Sequence, residues 1–207
     1  CADLQLEKAQ QLAQSLTDEG CLASALALDV SDEQSVAAGV QQVLDQHGRV
    51  DILINNAGTD KTVPITELSV ADWDRVLGTN LRGPFLMMKA VLPILYEQES
   101  GHVVNIASTA AKRAWANAAA YHASKWGLIG LSHAIFVEAR EHHVKVSALV
   151  VGGMQTPFIL ERFPDTPLAN LQDPANVADA IVYLLGMPDE TIIPELMVIP
   201  MTETSWP

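Results

Sequence analysis

Tyr121 and Lys125 stand four positions apart in a long, mostly apolar segment. In a helix, this spacing places both side chains on one face. A free tyrosine has a pKa of about 10 and is a poor base at neutral pH, whereas a nearby ammonium group favours the phenolate. The pair therefore predicts a tyrosine whose pKa is lowered by Lys125 and whose phenol exchanges a proton in an alcohol–ketone interconversion.

The surroundings of this pair strengthen an otherwise weak signal, since Tyr-x-x-x-Lys arises by chance about once in every few chains of this size. Ser108 directly follows a strand-length apolar run, and its hydroxyl is expected to hold the substrate oxygen against Tyr121. Asn80, inside an earlier helical segment, is expected to hold a water that reconnects Lys125 to solvent. The positions beside Tyr121 are small, which leaves space for a ligand: Ala118, Ala120, Ser124 and Gly127.

A second polar cluster, Asn55-Asn56-Ala57-Gly58, follows another apolar run. Small residues there let a ligand approach the backbone closely. Asn and Gly are also common turn formers, so a plain strand-to-loop turn is an equal alternative for this cluster taken alone.

The elements that must position these residues alternate between apolar runs and segments of helical periodicity, which predicts an α/β fold. A parallel sheet with helices on both faces, doubly wound and Rossmann-like, follows from this rhythm, with one domain over residues 1–207. Ligands of such sheets bind beyond the carboxyl ends of the strands. The predicted strands cover 22–30, 50–54, 102–107, 144–151 and 192–199. The predicted helices cover 4–16, a segment from Ser31 to Gly48, 71–96 with a kink at Gly83-Pro84, 118–140 and 174–185, with a loop or lid at 157–173.

Composition excludes several classes of partner. A net charge of −13 would repel nucleic-acid phosphates and anionic lipid, so no nucleic-acid and no membrane partner is expected. Two cysteines form neither a disulfide framework nor a metal motif, and a reducing cytoplasm is the expected compartment. His142 and His143 are adjacent rather than at ligand spacing, so no metal site is expected.

Taken together and in order, these motifs resemble the short-chain dehydrogenases/reductases. The resemblance implies an NAD(P)-dependent oxidoreductase that interconverts an alcohol and a ketone or aldehyde with Tyr121 as general acid/base. It also implies a homodimer or homotetramer that pairs through the helices at 71–96 and 118–140. By the family's pattern the catalytic residues are Asn80, Ser108, Tyr121 and Lys125. The cofactor-binding residues are Asp3, Asp29, Val30, Asn56, Ala57, Gly58, Tyr121, Lys125, Gly152, Met154 and Thr156.

The chain departs from the family's pattern in one large respect, because the Gly-rich turn that seats the pyrophosphate is absent. A first strand and its crossover helix of about 30 residues are missing from the pattern, so an N-terminally incomplete domain, a fragment of a longer protein, is expected. Because that first strand is central in the family's sheet, its two neighbours are expected to lack a partner.

Asp3 bears on the choice of cofactor. A carboxylate at the end of the second family strand accepts the ribose hydroxyls of NAD and repels the phosphate of NADP, so NAD is expected and NADP stays possible. An N-cap for the helix beginning near Leu4 is an equal alternative for Asp3. A catalytically silent dinucleotide-sensing or interaction protein on the same fold is the alternative function, since a fold alone never determines function.

Overall fold

The strands form two parallel sheets in residues 1–203, which are the residues that the computed structural model describes. One sheet pairs β1 with β2, and the other has the order β3-β4-β5-β6. The strands are β1 (Ala2–Asp3), β2 (Leu26–Ala27), β3 (Ile52–Asn55), β4 (Gly101–Ile106), β5 (Val144–Val151) and β6 (Glu195–Val198). The α-helices are α1 (Leu6–Asp18), α2 (Glu33–His47), α3 (Val70–Leu77), α4 (Gly83–Gln98), α5 (Ala119–Ala139), α6 (Pro157–Leu160) and α7 (Pro174–Leu185).

Helices cover both faces of the four-stranded sheet, as the doubly wound prediction requires. On one side, β4 and β5 pack through Val103 and Val146 into a core that also contains α2 and α4. On the other side, Leu149 of β5 packs with Val177 and Leu184 of α7. No helix in residues 1–203 combines the length and apolarity that crossing a membrane requires.

The edge strand β3 faces a gap toward β1. Ile52 and Ile54 of β3 are 45% and 43% exposed, although their sequence is that of a buried strand. Within residues 1–203, no ladder pairs β3 with β1 or β2. The strands β1 and β3, which were expected to lack a partner, thus both lie at a sheet edge. The space between them is a groove of about 560 Å³.

The first two helices begin later than their sequence pattern indicates. The side chain of Asp32, rather than Ser31, caps α2 by accepting a hydrogen bond from the Gln34 N–H at 2.9 Å. The helix α1 begins at Leu6, and the Asp3 carboxylate accepts from the Gln5 N–H at 2.8 Å, one residue before the helix. The N-cap alternative for Asp3 is therefore wrong, because Leu4 and Gln5 separate it from the helix and Gln5 occupies the N-cap position.

The long helix predicted over 71–96 is continuous from α3 to α4 but contains one π-helical turn, Gly78–Arg82. Pro84 is the second residue of α4, and the irregular π turn just before it accommodates a residue without an N–H inside the continuous helix. Gly83 is needed because a Cβ there would lie 2.8 Å from Val30 Cγ2. The predicted kink is thus a π turn just before Gly83-Pro84, and it is the segment that contains Asn80.

The central strand β5 is buried along nearly its whole length. Leu149 is fully buried, so Leu149→Ala is expected to lower the free energy of unfolding by about 3 kcal/mol through lost transfer energy and a cavity. Val182→Ala is the control, because Val182 is 68% exposed on α7 and its loss is expected to change stability by about 0.5 kcal/mol or less. Urea denaturation measures both, and equal losses would contradict this account of the core.

Candidate active site

Three of the predicted catalytic side chains meet beyond the carboxyl end of β4. Ser108 lies two residues past the end of β4, and Tyr121 is in the first turn of α5. Tyr121 and Ser108 line the same cavity, and the Ser108 side chain acts to lower the pKa of the Tyr121 phenol. One helical turn later, the Lys125 ammonium lies 5.7 Å from the centroid of the Tyr121 ring and donates to the Ile106 carbonyl at 2.8 Å. The strand end and the helix start therefore present a serine, a tyrosine and a lysine at one site.

The electrostatics of Tyr121 differ from the sequence-based expectation. The pKa of its phenol is raised to about 12, mainly by burial and also by the charge of Asp60, although the Ser108 side chain and the charge of Arg162 act to lower it. The predicted lowering by Lys125 is wrong for this arrangement. The Lys125 ammonium is bonded to a backbone carbonyl beside the ring, and the desolvation of the phenol outweighs the attraction of nearby cations.

Lys125 is itself shifted by its surroundings. Only 5% of the residue is exposed, and burial lowers the pKa of its ammonium to about 8. An ammonium in a dry site is costly unless it is hydrogen-bonded, and the Ile106 carbonyl supplies that bond. Lys125 therefore joins α5 to the end of β4. It also places, one helical turn from Tyr121, an ammonium group whose pKa is close to neutral pH.

Asn80 lies apart from this trio and positions a loop. Its Oδ1 accepts from the Thr59 N–H at 2.8 Å. Its Nδ2 donates to the Thr59 carbonyl at 2.8 Å and to the Ser124 hydroxyl at 3.1 Å. These bonds join the loop after β3 to the helix that carries Tyr121 and Lys125. The role expected for Asn80 in holding a water beside Lys125 stays a prediction.

The residues predicted for the adenosine side of a cofactor line one groove, the gap between β1 and β3. Asp3 and Asp29 bring carboxylates to its rim, and the Asp29 Oδ1 accepts from both the N–H and the hydroxyl of Ser31. The six predicted residues in this groove are Asp3, Asp29, Val30, Asn56, Ala57 and Gly58.

A separate cavity of about 290 Å³ contains the reacting hydroxyls. Ser108 and Tyr121 form one end of it, and the predicted cofactor residues Gly152, Met154 and Thr156 lie along its wall. Lys125 lines neither the cavity nor the groove but lies beneath the cavity, bonded to Ile106. The predicted site residues thus divide into a groove set and a cavity set.

Sequence reasoning missed His122, a buried residue of α5. Its Nδ1 lies 2.8 Å from the Ala110 carbonyl, and its Nε2 accepts from the Trp115 N–H at 3.1 Å. These two bonds require a neutral ring protonated at Nδ1. His122 therefore fastens the segment between Ser108 and Tyr121, and no sequence pattern marks a histidine for that role.

A chain of buried amides was also missed. The Asn55 amide donates to the Asn105 Oδ1 at 2.8 Å, and the Asn105 amide donates to the Ser132 hydroxyl at 2.9 Å. Asn55 and Asn105 are register partners on β3 and β4. A polar residue within an apolar strand was the available signal, because a fully buried amide must find partners.

The lowered pKa of Lys125 predicts a pH dependence of stability. The unfolded lysine keeps its proton up to its ordinary pKa of 10.5, whereas the folded one loses it at about 8. Between these values the unfolded state binds more protons, so the free energy of unfolding rises with pH. Chemical denaturation between pH 8 and 10, below the titration of Tyr121, is expected to show this rise.

The rise is expected to be lost in Lys125→Met and kept in the control Lys8→Met, which removes an exposed lysine of α1. An equally steep rise in Lys125→Met would show that another group is responsible.

Comparisons with known proteins agree with this geometry. A family model described as short chain dehydrogenase matches residues 1–166. An uncharacterized oxidoreductase of Bacillus subtilis (strain 168) is 35% identical over 164 residues, which is 79% of this chain and 64% of that protein. A D-threitol dehydrogenase of Mycolicibacterium smegmatis is 40% identical over 147 residues, covering 71% of this chain and 56% of its own length. The chain thus matches between half and two thirds of the length of these relatives.

Solved structures give the same answer. The crystal structure of a metagenomic short-chain oxidoreductase in complex with NADP has a TM-score of 0.82 and is 32% identical, over 97% of this chain and 84% of the other. The chain belongs to the short-chain dehydrogenase family.

Proposed function

We propose that this protein is an NAD(P)-dependent oxidoreductase that interconverts an alcohol and a ketone or aldehyde, with Tyr121 as general acid/base. The observation that carries the proposal is the meeting of Ser108, Tyr121 and Lys125 at the end of β4, with the two hydroxyls opening into one cavity. This chemistry needs a hydroxyl that holds the substrate oxygen, a phenol that transfers a proton and a buried cation.

The pKa values favour a proton donor in the direction of carbonyl reduction. With a pKa of about 12, Tyr121 is protonated at neutral pH and donates its proton to the carbonyl oxygen as that oxygen gains negative charge. Ser108 donates a hydrogen bond to the same oxygen and orients it. Lys125, bonded to the Ile106 carbonyl, holds the helix that positions Tyr121 beside Ser108.

The chain's own residues fit the two ends of a dinucleotide. The exposed Asp3 carboxylate and the open backbone of Asn56-Ala57-Gly58 suit a ribose and an adenine in the groove. Gly152, Met154 and Thr156 suit the carboxamide end in the cavity. The bound cofactor supplies the hydride. Asp3 supports NAD as the preferred form, with NADP the second candidate because the metagenomic relative was crystallised with it.

The role of Tyr121 is testable by removing one oxygen atom. Tyr121→Phe in the full-length protein is expected to lower kcat for ketone and aldehyde reduction by about 100-fold or more, since it removes the proton donor. Tyr183→Phe is the matched control, because Tyr183 is 59% exposed on α7. Oxidation of NADH and NADPH is followed across a panel of carbonyl compounds. Equally slow turnover by wild type and Tyr121→Phe would leave the silent sensing or interaction protein as the better reading.

The preference for NAD is tested at Asp3. Asp3→Asn removes the charge that would repel a 2′-phosphate, so the ratio of kcat/KM for NADPH to that for NADH is expected to rise about tenfold. Asp18→Asn, at the far end of α1, is the control. An unchanged ratio in Asp3→Asn would remove this residue from cofactor selection.

The proposed homodimer or homotetramer would bury side chains that this chain leaves exposed on α4 and α5. Phe85, Trp126 and Val137 are 46%, 53% and 52% exposed, and exposed apolar faces of this kind are typical of subunit contacts. Light scattering at micromolar concentration is expected to give at least a dimeric mass, which Trp126→Lys lowers. A monomeric mass for the wild type would contradict the proposal.

A further inference from the structure

Aromatic and aliphatic side chains form much of the cavity wall, together with polar residues such as Thr109, Thr166 and Asn170. Trp115 and Phe163 are each 41% exposed where they line it, and the Phe158 ring lies 5.9 Å from the Tyr121 ring, tilted by 40°. The remaining apolar lining consists of Val151, Met154, Ile159 and Leu171. Rings on several sides of a small space favour a flat ring between them.

Two of these rings are held in place by polar contacts. The main-chain N–H of Trp115 donates to the His122 imidazole, and the His122 ring meets the indole edge-on with centroids 4.4 Å apart. The Phe158 ring lies between Tyr121 and the Arg162 guanidinium, which is 4.0 Å from its centroid. The aromatic walls are therefore preorganised rather than loose, which lowers the entropic cost of binding.

The charge around the cavity is negative. Two carboxylates line it, Asp60 and Glu203, and no Lys, Arg or His is among the lining residues of the described chain. Asp60 is held by the N–H of Lys61 and the hydroxyl of Thr62. Its field reaches the reacting centre, because it raises the pKa of the Tyr121 phenol.

The nearby cations are committed to other groups. Arg162 covers the Phe158 ring and donates to the Phe158 carbonyl. Lys112 forms an ion pair with Glu195 at 2.7 Å, and Lys125 donates to Ile106. A carboxylate or phosphate on the substrate would therefore meet Asp60 with no cation among the cavity-lining residues of the described chain. The charge of Arg162 also reaches Tyr121, but its effect there is smaller than that of Asp60, so an anionic substrate would bind at a cost in free energy.

We infer that the substrate is a compact aromatic ketone, or the corresponding alcohol, that bears no negative charge. This inference rests on the proposed function. Because part of the 290 Å³ lies beside Gly152 and Thr156, where the proposal places the carboxamide end of the cofactor, the rest suits one ring with a short chain. In the reduction, the carbonyl carbon accepts a hydride from the reduced nicotinamide dinucleotide and the oxygen takes the Tyr121 proton. The ketone becomes a secondary alcohol as the dinucleotide is oxidised.

A matched set of probes tests the inference. The full-length protein is assayed with 4-ethylacetophenone, (4-acetylphenyl)acetate and acetoacetyl-CoA, each with NADH and NADPH. The first two compounds contain the same aryl methyl ketone, and only the second bears a carboxylate. A methylene group separates this carboxylate from the ring, so that the charge has little effect on the reactivity of the carbonyl. The kcat/KM for the neutral probe is expected to exceed that for the anionic one about tenfold or more. Quenching of tryptophan fluorescence, compared with Trp115→Phe, reports binding independently of turnover.

Asp60→Asn provides the second arm. It is expected to raise kcat/KM for the anionic probe several-fold, so that the ratio of kcat/KM for the neutral probe to that for the anionic probe becomes smaller. The control Asp189→Asn, in the exposed loop before β6, is expected to leave this ratio unchanged. Equal use of both aryl ketones, or reduction of acetoacetyl-CoA without that of 4-ethylacetophenone, would overturn the inference and leave the proposed oxidoreductase standing. No oxidation of either dinucleotide with any carbonyl compound would overturn both.

Discussion

The hydrogen bond from the Lys125 ammonium to the Ile106 carbonyl is the interaction on which the site depends. It joins the last residue of β4 to the second turn of α5 at 2.8 Å, in a place from which water is excluded. A buried ammonium must have such a partner, so the helix has little freedom to turn or slide relative to the strand. That constraint places Tyr121 beside Ser108. The relative position of the two hydroxyls therefore depends on the hydrogen bond of the Lys125 ammonium.

Further polar contacts connect this centre to the groove on the other side of β4. Asn80 joins the loop after β3 to Ser124 on α5, and the pair Asn55–Asn105 ties β3 to β4 through their side chains. Buried amides of this kind are costly when partly satisfied and rigid when fully satisfied. Every one of these bonds is made, so the groove and the cavity are held in one frame. That frame would let a single extended cofactor reach from Asp3 to Thr156.

The gap between β1 and β3 shows how a local sequence pattern can be correct while its environment differs. The segment around Ile52 has the apolar run of a strand buried on both faces, yet both of its isoleucines are nearly half exposed at an edge. The expectation that the two strands beside the absent first family strand lack a partner came from the order of motifs along the chain, not from the apolar pattern of β3. The same holds for Leu22 to Val30, an apolar run of which only Leu26–Ala27 forms a strand because it pairs only with the short β1.

The sequence by itself determined the order of strands and helices, the placement of the polar residues at strand ends, and the membership of Ser108, Tyr121 and Lys125 in one site. Period, helix spacing and turn residues are local properties, and local properties can be read along a chain. Tertiary structure alone decided the pKa of Tyr121, the π turn at Asn80, the role of His122, and the anionic character of the cavity. Each of these depends on desolvation and on partners brought together from distant parts of the chain, and neither quantity is encoded in the spacing of neighbouring residues.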